Sequence, residues 1–417
     1  MTNQWRQIEF GSVARWIKGR KPASLSAVRD GGVPYVTADY LRTGVASQFV
    51  SPQAQKSCPP CRPRFPVIIW DGSNAGEVFL GQEGILASTM ALIQPDLTLL
   101  NSFFCYFFLK SQFEELNSKT TGSTIPHVSK TMLVSLSVPL PEKNEQEKIA
   151  TVLWKIQLAI ETEEGLIATA RELKRSVMRQ LFSRGLRGGQ QKETEIGLLV
   201  KNWEVVPLGL LGRIGNGSTP LKRNSEYWSG GTIPWLTSAK VYDVTITKAD
   251  QFVTPKAVKE CHLPRVNPGS VLVAITGQGK TLGHAAVTVI ETCVSQHIAY
   301  IQFSDESVNP HFIRLFLESR YQELRAIAQG GGSTKGALTC AFLKTYLVPF
   351  PERREQNEIT QALMSIENKI RVHERKRATL QELFKTMLHK LMTGEIRVND
   401  LDIDTSEVRR TYKEDEP

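Results

Sequence analysis

Residues Pro141–Arg184 read PEKNEQEKIATVLWKIQLAIETEEGLIATARELKRSVMRQLFSR, and residues Pro351–Gly394 read PERREQNEITQALMSIENKIRVHERKRATLQELFKTMLHKLMTG. Each stretch opens on Pro-Glu, with the proline where a helix tolerates it, and continues with apolar residues at alternating three- and four-residue spacing. In the first, Ile149, Leu153, Ile156, Ile160, Ile167, Ala170, Val177 and Leu181 form the stripe; in the second, Ile359, Leu363, Ile366, Ile370, Leu380, Phe384, Met387 and Leu391 do. At ~1.5 Å per residue each helix is roughly 60 Å long, so it overhangs an ordinary domain and calls for a helical partner. The other copy is the obvious one, and the spacing predicts an intramolecular antiparallel coiled coil. The plainer alternative packs each helix separately against its own domain. Glu163, Lys174, His373 and Arg377 interrupt the stripe, and either fix its register or loosen its middle.

The duplication extends outward from the helices. Trp5-Arg-Gln-Ile-Glu-Phe-Gly, leading to Gly19 and Pro22, is matched by Trp203-Glu-Val-Val-Pro-Leu-Gly, leading to Gly217 and Pro220. Val33-Pro-Tyr-Val-Thr37 corresponds to Ile233-Pro-Trp-Leu-Thr237, and the run Val67–Gly76 to Val271–Gly279. Ala87–Ile93 pairs with Val294–Ile301, Asn101-Ser-Phe-Phe104 with Asn309-Pro-His-Phe312, and Gly122-Ser-Thr124 with Gly332-Ser-Thr334. Short β-branched runs between Gly, Pro and Asn turns, with one helical segment near the end of each block, predict an α+β fold of mostly small antiparallel strands. The resulting layout is a first domain at 1–140, its helix at 141–185, a linker at 186–202, a second domain at 203–350, its helix at 351–394 and a polar, loose tail at 395–417. By the repeat, Met1–Gln4 corresponds to Leu199–Asn202, which follows a helix, so the start of the chain is expected near the end of the second helix.

Composition narrows the function classes. The chain has 417 residues, enough for two domains with full cores, and a formal charge of +9, which favours a polyanionic partner weakly. No apolar run approaches the roughly 20 residues that span a bilayer, and the opening MTNQWRQIEF has no signal-peptide pattern, so a cytoplasmic protein is expected. Of the six cysteines only Cys58-Pro-Pro-Cys61 has metal-like spacing. Without a second Cys/His pair it reads as a solvent-facing loop with reduced thiols, and the histidines show no zinc spacing.

Two motifs resemble enzyme signatures. Ala274-Ile-Thr-Gly-Gln-Gly-Lys280-Thr281 loosely matches a phosphate-binding loop, but a helix must follow such a loop and Leu282–Ile290 is strand-like. Asn309-Pro-His-Phe312 is one residue from an adenine-methyltransferase signature, yet its twin Asn101-Ser-Phe-Phe104 opens an amphipathic helix, so Asn309 reads as a helix N-cap. Ser123 and Ser333 lack the strand–elbow–helix context of a hydrolase nucleophile. No catalytic or metal-binding constellation is predicted.

The duplicated Val-Pro-x-Pro-Glu-x-x-Glu-Gln-x-x-Ile at Val138–Ile149 and Val348–Ile359, with Glu195-Ile-Gly197 before Trp203 and the Gly…Pro openings of both blocks, resembles the specificity subunit of type I restriction-modification enzymes. The resemblance runs over residues 1–397. It implies two target-recognition domains, each followed by a spacer helix, the helices pairing with pseudo-twofold symmetry. It further implies that each domain reads one half of an asymmetric bipartite site in double-stranded DNA. The helices would dock two methyltransferase subunits, with motor-nuclease subunits further out. The chain itself would be non-catalytic and bind no cofactor; S-adenosylmethionine, ATP and Mg would belong to those partners. The alternatives are a coiled-coil adaptor that binds only protein and a stand-alone DNA adenine methyltransferase.

Candidate DNA contacts are polar residues in corresponding loops. The first domain offers Lys18, Arg20, Lys21, Thr37, Asp39, Tyr40, Ser73, Asn74, Ser88, Thr89, Ser123, Thr124 and His127. The second offers Asn216, Lys222, Arg223, Thr237, Lys240, Gln278, Lys280, Thr281, Gln296, His297, Ser333, Thr334 and Lys335. Arg and Lys suit guanine or phosphate, and Asn and Gln suit adenine. Thr37, Thr237, Ser123 and Ser333 recur in both halves and also read as turn-formers. Gln278, Lys280, Gln296, His297 and Lys335 differ between the copies and are the stronger candidates for specificity.

Overall fold

The computed structural model describes residues 5–120, 126–277, 279–330 and 336–413. The chain forms two compact units, Met1–Glu164 with Arg375–Pro417, and Gly165–Glu374. The long helices are continuous over Lys143–Arg184 and Arg353–Thr393, and each gives one half to each unit. In the first unit Ile149 and Leu153, near the start of the first helix, share a core with Leu391 and Met392, at the end of the second. In the second unit Met178 and Leu181, near the end of the first helix, share a core with Ile359 and Leu363, near the start of the second. The helices therefore run antiparallel within each unit, as the spacing predicts. The plainer alternative is also partly right, because those same residues pack against the recognition domain's own helix, through Phe103–Leu109 in one unit and Phe312–Leu317 in the other.

The first unit carries a four-stranded antiparallel sheet in the order Ala14–Lys18, Met90–Pro95, Pro66–Ile69 and Val78–Leu80. Pro66–Ile69 is buried throughout and flanked on both sides, so its sequence, PVII, shows a continuous apolar run instead of alternation. A second small sheet joins Phe49–Val50, Val33–Val36, Gly84–Leu86 and Pro60–Cys61. The second unit repeats the plan. A five-stranded sheet runs Gly212–Asn216, Ile298–Phe303, Val271–Ala274, Ala285–Thr288 and Thr245–Ile246, beside a three-stranded one of Gln251–Val253, Ile233–Leu236 and Cys293–Val294. Both units contain a parallel pairing that the turn-rich sequence does not announce, Tyr35 with Ile85 and Trp235 with Cys293.

The recurrent Pro-Glu-x-x-Glu-Gln segment is the joint between each domain and its helix. Gln146 accepts the N–H of Asn101 (2.8 Å) and donates to the carbonyls of Leu99 and Pro141. Gln356 accepts the N–H of Asn309 (2.8 Å) and donates to the carbonyls of Ser307 and Pro351. Both asparagines cap the helix that follows, Asn101 accepting from Phe104 and Asn309 from His311 and Phe312, as expected. The preceding glutamate accepts the indole N–H of each opening tryptophan, Glu145 from Trp5 (3.1 Å) and Glu355 from Trp203 (2.9 Å). Two-stranded ribbons, Arg6–Glu9 with Ser137–Leu140 and Glu204–Pro207 with Leu347–Phe350, close each domain at the same place. Each long helix stops at a left-handed glycine lying against one of these tryptophans, Gly185 beside Trp203 and Gly394 beside Trp5. Met1–Gln4 lies outside the described residues, but Trp5, its neighbour, does meet the end of the second helix.

Three expectations are corrected. Residues 186–202 contain a hairpin, Gln191–Thr194 with Gly197–Val200, whose Leu199 is buried. The polar tail is not loose over its described part: Val398 and Val408 enter the first unit's core. Arg397 holds Glu145 through two hydrogen bonds, and Arg409 pairs with Glu147 at 2.6 Å. Its few apolar side chains anchor it because they join a core that already holds Ile149, Leu153 and Leu391 of the long helices. Cys58 and Cys61 are buried in a core cluster and do not face solvent, and burial pushes the Cys61 thiol up to about 12.

Candidate nucleic-acid interface

Where the chain leaves the buried strand Pro66–Ile69, three backbone hydrogen bonds fix the exit. Trp70 N–H donates to Thr89 (2.8 Å), Val128 N–H to Trp70 (3.0 Å) and Gly72 N–H to Pro126 (2.9 Å). The second unit builds the same frame: Ile275 N–H donates to His297 (3.0 Å), Leu338 N–H to Ile275 (2.7 Å) and Gly277 N–H to Gly336 (3.4 Å). Gly72 and Gly277 both turn through positive φ, 121° and 139°, where a side chain would be strained. Isolated bridges, Asp71 with His127 and Thr276 with Ala337, complete the correspondence. Asp71 thus matches Thr276, one residue on from the pairing that starts at Val67 and Val271.

On this common frame the side chains differ. In the first unit the Asp71 carboxylate accepts from Lys18, the last residue of strand Ala14–Lys18, at 2.8 Å, and from His127 Nδ1 at 2.5 Å. Asp71 is 16% exposed, while Lys18 and His127 are 46% and 44% exposed, so the carboxylate anchors two outward-facing donors. In the second unit Asn216 ends the matching strand and is exposed. Thr276 hydrogen-bonds His297 Nδ1, His297 Nε2 meets the Gln296 amide at 3.3 Å, and Gln296 accepts from Thr219. A carboxylate holding Lys18 and His127 therefore stands where its counterpart has a chain of hydrogen bonds through Thr276, His297, Gln296 and Thr219.

The remaining candidates are scattered. Thr37 caps helix Ala38–Thr43 by accepting from Tyr40, whereas Thr237 occupies a cap position without such a bond. Asp39 is exposed beside Arg42, and Tyr40 packs half-buried against a core cluster. Ser73 and Asn74 lie in an exposed turn, Ser88 donates its N–H to the Tyr35 hydroxyl, and Arg20, Lys21 and Arg223 are exposed in loops. Lys222 sits over the rings of Trp228 (3.5 Å) and Trp235 (4.8 Å), and partial burial lowers its pKa. Lys240 is held by Asp243 (2.7 Å) and Asp250 (3.2 Å), which raise its pKa, so its charge is already matched within the domain. Lys280 is exposed on a loop clipped by Tyr321 and Arg325, and Thr281 meets the Tyr242 hydroxyl at 3.2 Å. A strand, Ala285–Thr288, follows that loop, as expected from the sequence. Ser123, Thr124, Gln278, Ser333, Thr334 and Lys335 lie outside the described residues.

The structure thus gathers Lys18, Thr89 and His127 on one rim and Asn216, Gln296 and His297 on the other. It adds Asp71, Thr276 and Thr219, which sequence reasoning passed over. A lone carboxylate between an apolar strand and a glycine was the available signal for Asp71. Among the described residues no group of His, Cys, Asp or Glu is arranged to hold a metal.

Comparison with known proteins places this architecture. The family model for the type I restriction modification DNA specificity domain matches twice, at residues 2–172 and 200–382. The specificity subunit of the type I restriction enzyme MjaVIII of Methanocaldococcus jannaschii is 28% identical over 95% of this chain and 94% of its own length. The EcoBI specificity subunit of Escherichia coli is 21% identical over 94% and 86% respectively. The crystal structure of the type I restriction-modification S subunit of M. genitalium shares the fold with a TM-score of 0.66 and 18% identity, covering 94% of this chain and 97% of that one. With the domain present in both halves and the match spanning nearly the whole sequence, the chain belongs to the family of type I restriction-modification specificity subunits.

Proposed function

We propose that the chain is the sequence-reading subunit of a type I restriction-modification complex. Each recognition unit reads one half of a bipartite, asymmetric site in double-stranded DNA. The observation that carries this reading is the rim pair: two copies of one backbone frame present different hydrogen-bonding side chains. That arrangement suits a module whose geometry is fixed and whose base preference varies, since phosphate contacts position a protein and base-edge contacts specify the sequence. The long helices set the spacing between half-sites and offer docking faces to two methyltransferase subunits, through which motor-nuclease subunits join. Methyl transfer and cleavage, with S-adenosylmethionine, ATP and Mg, belong to those partners, and the complex works in the cytoplasm. No helix among the described residues is long and apolar enough to cross a membrane.

The test is to map methylated adenines across a genome with and without this chain, in the presence of a partner methyltransferase. The expected result is a two-part motif with unlike halves that disappears when the chain is absent. Methyl transfer by the purified chain alone would favour the stand-alone enzyme. A complex that assembles but leaves no footprint on DNA would favour the protein-only adaptor.

A further inference from the structure

We infer that Lys18, Asp71 and His127 form the base-reading group of the first unit, and that Asn216, Thr276 and His297 do the same work with different chemistry in the second. This rests on the function proposed above and assigns the residues that set its specificity. Asp71 acts as a positioning residue. It is more shielded than its two partners, and its carboxylate holds both the Lys18 ammonium and the His127 ring at hydrogen-bond distance. One carboxylate with two donors fixes side chains that would otherwise sample many rotamers on an exposed rim. His127 meets Asp71 through Nδ1, so Nε2 is the ring nitrogen on the side away from the carboxylate.

The charge pattern divides the two rims by the base each suits. Lys18 Nζ meets both Asp71 oxygens, at 2.8 and 3.2 Å, and its ammonium carries a third N–H; an outward cationic donor matches the O6 and N7 acceptors on the major-groove edge of guanine. Asn216 carries an amide that offers a donor and an acceptor together, matching N7 and N6 of adenine. Thr276 and His297 bond each other where the first rim has the Asp71 carboxylate. The first half-site therefore contains a guanine read through Lys18, and the second an adenine read through Asn216.

Placing in the first unit the residues found at the equivalent positions of the second, Asn216, Thr276 and Ala337, gives the test. The triple variant Lys18→Asn, Asp71→Thr, His127→Ala, and the milder Lys18→Asn and Asp71→Asn, are each assembled with the partner methyltransferase, and methylation is mapped over all sites. Expected is a loss of about tenfold or more in discrimination at one G·C pair of the first half-site, with the second half-site unchanged. Asp71→Asn should weaken preference at that same pair. A uniform fall in methylation with the preference at every position retained would make Lys18 a phosphate contact and overturn the assignment. So would a change in the second half-site. If the triple variant melts before the wild type, the surface change Lys18→Asn alone decides. Failure of the wild-type complex to recognise any two-part site would sink the underlying function as well, which keeps the two failures apart.

Discussion

The joints where each recognition helix meets the long helices occupy equivalent places and are built from opposite materials. In the second unit Arg314, 1% exposed, grips Glu367 with two parallel hydrogen bonds of 2.9 Å. Arg314 also reaches Glu318 at 2.8 Å, and Lys174 pairs with both Glu367 (2.7 Å) and Glu318. The equivalent positions in the first unit hold Tyr106, Lys110, Gln157 and Phe384. There the Tyr106 hydroxyl donates to Gln157 (3.1 Å), and Lys110 donates to Tyr106 (2.8 Å) while lying 5.4 Å from the centre of the Phe384 ring. Around both joints the Trp–Glu and Gln–Asn anchors are the same. A buried ionic cluster adds little net stability over well-packed neutral groups, but it is costly to leave half-paired. The difference therefore labels the helix segments: Lys174 opposite a glutamine, or Phe384 opposite Glu367, would strand a charge. Lys174 fixes pairing between the long helices, and Glu163, bonded to Lys376 at 2.7 Å, does likewise in the first unit.

The largest effect should come from breaking the charged joint. Glu367→Gln leaves Arg314 and Lys174 buried without full compensation and should cost about 3–5 kcal/mol in chemical denaturation of the whole chain. Gln157→Ala at the matching place should cost about 1 kcal/mol. Equal losses would erase the contrast. The same glutamate makes the second joint acid-sensitive. Burial works to raise its pKa, but Arg314 and Lys174 outweigh that and hold its carboxyl below the ordinary value. A depressed carboxylate contributes stability above the unfolded-state pKa of ~4.3 and loses it as pH falls through the folded value. The stability gap between wild type and Glu367→Gln should accordingly narrow below about pH 4, measured by thermal melts across pH.

The shared anchors should separate more gently. Trp203→Phe removes the indole donor to Glu355 and should cost about 1.5–3 kcal/mol. Trp5→Phe should cost less by the same denaturation assay, because Arg397 already holds Glu145 with two hydrogen bonds. Smallest is the cap pair. Thr37→Ala should cost about 1 kcal/mol and Thr237→Ala close to none, since only Thr37 accepts a hydrogen bond from its helix.

Much of this fold could be read from local pattern. The duplicated helices, their antiparallel pairing, the asparagine caps and the strand after the glycine loop at 277–281 all follow from spacing and turn chemistry within a few residues. What escaped depended on distant partners. Lys18 and His127 converge on Asp71 from 53 and 56 residues away, and the one local sign of Asp71 is a carboxylate set between an apolar strand and a glycine. For Lys174 the sequence left register-fixing and loosening both open, because its partners Glu318 and Glu367, which decide for the first, lie on other segments. The tail looked loose because composition records its charge, whereas its anchoring rests on Val398, Val408 and two arginine pairs. Cys58 and Cys61 read as exposed because no second Cys/His pair gives them a role, yet Pro60–Cys61 is an edge strand of the small sheet and both thiols enter its core.

One exchange tests whether two copies of one frame read two different sequences. Residues 203–350 are replaced by a second copy of residues 5–140, with Lys174→Phe and Glu367→Gln so that the transplanted Tyr106 and Lys110 meet matching partners. The methylated site of the complex is then mapped. The expected site has the first half-sequence twice and lacks the second. A site that keeps its original second half would contradict that expectation.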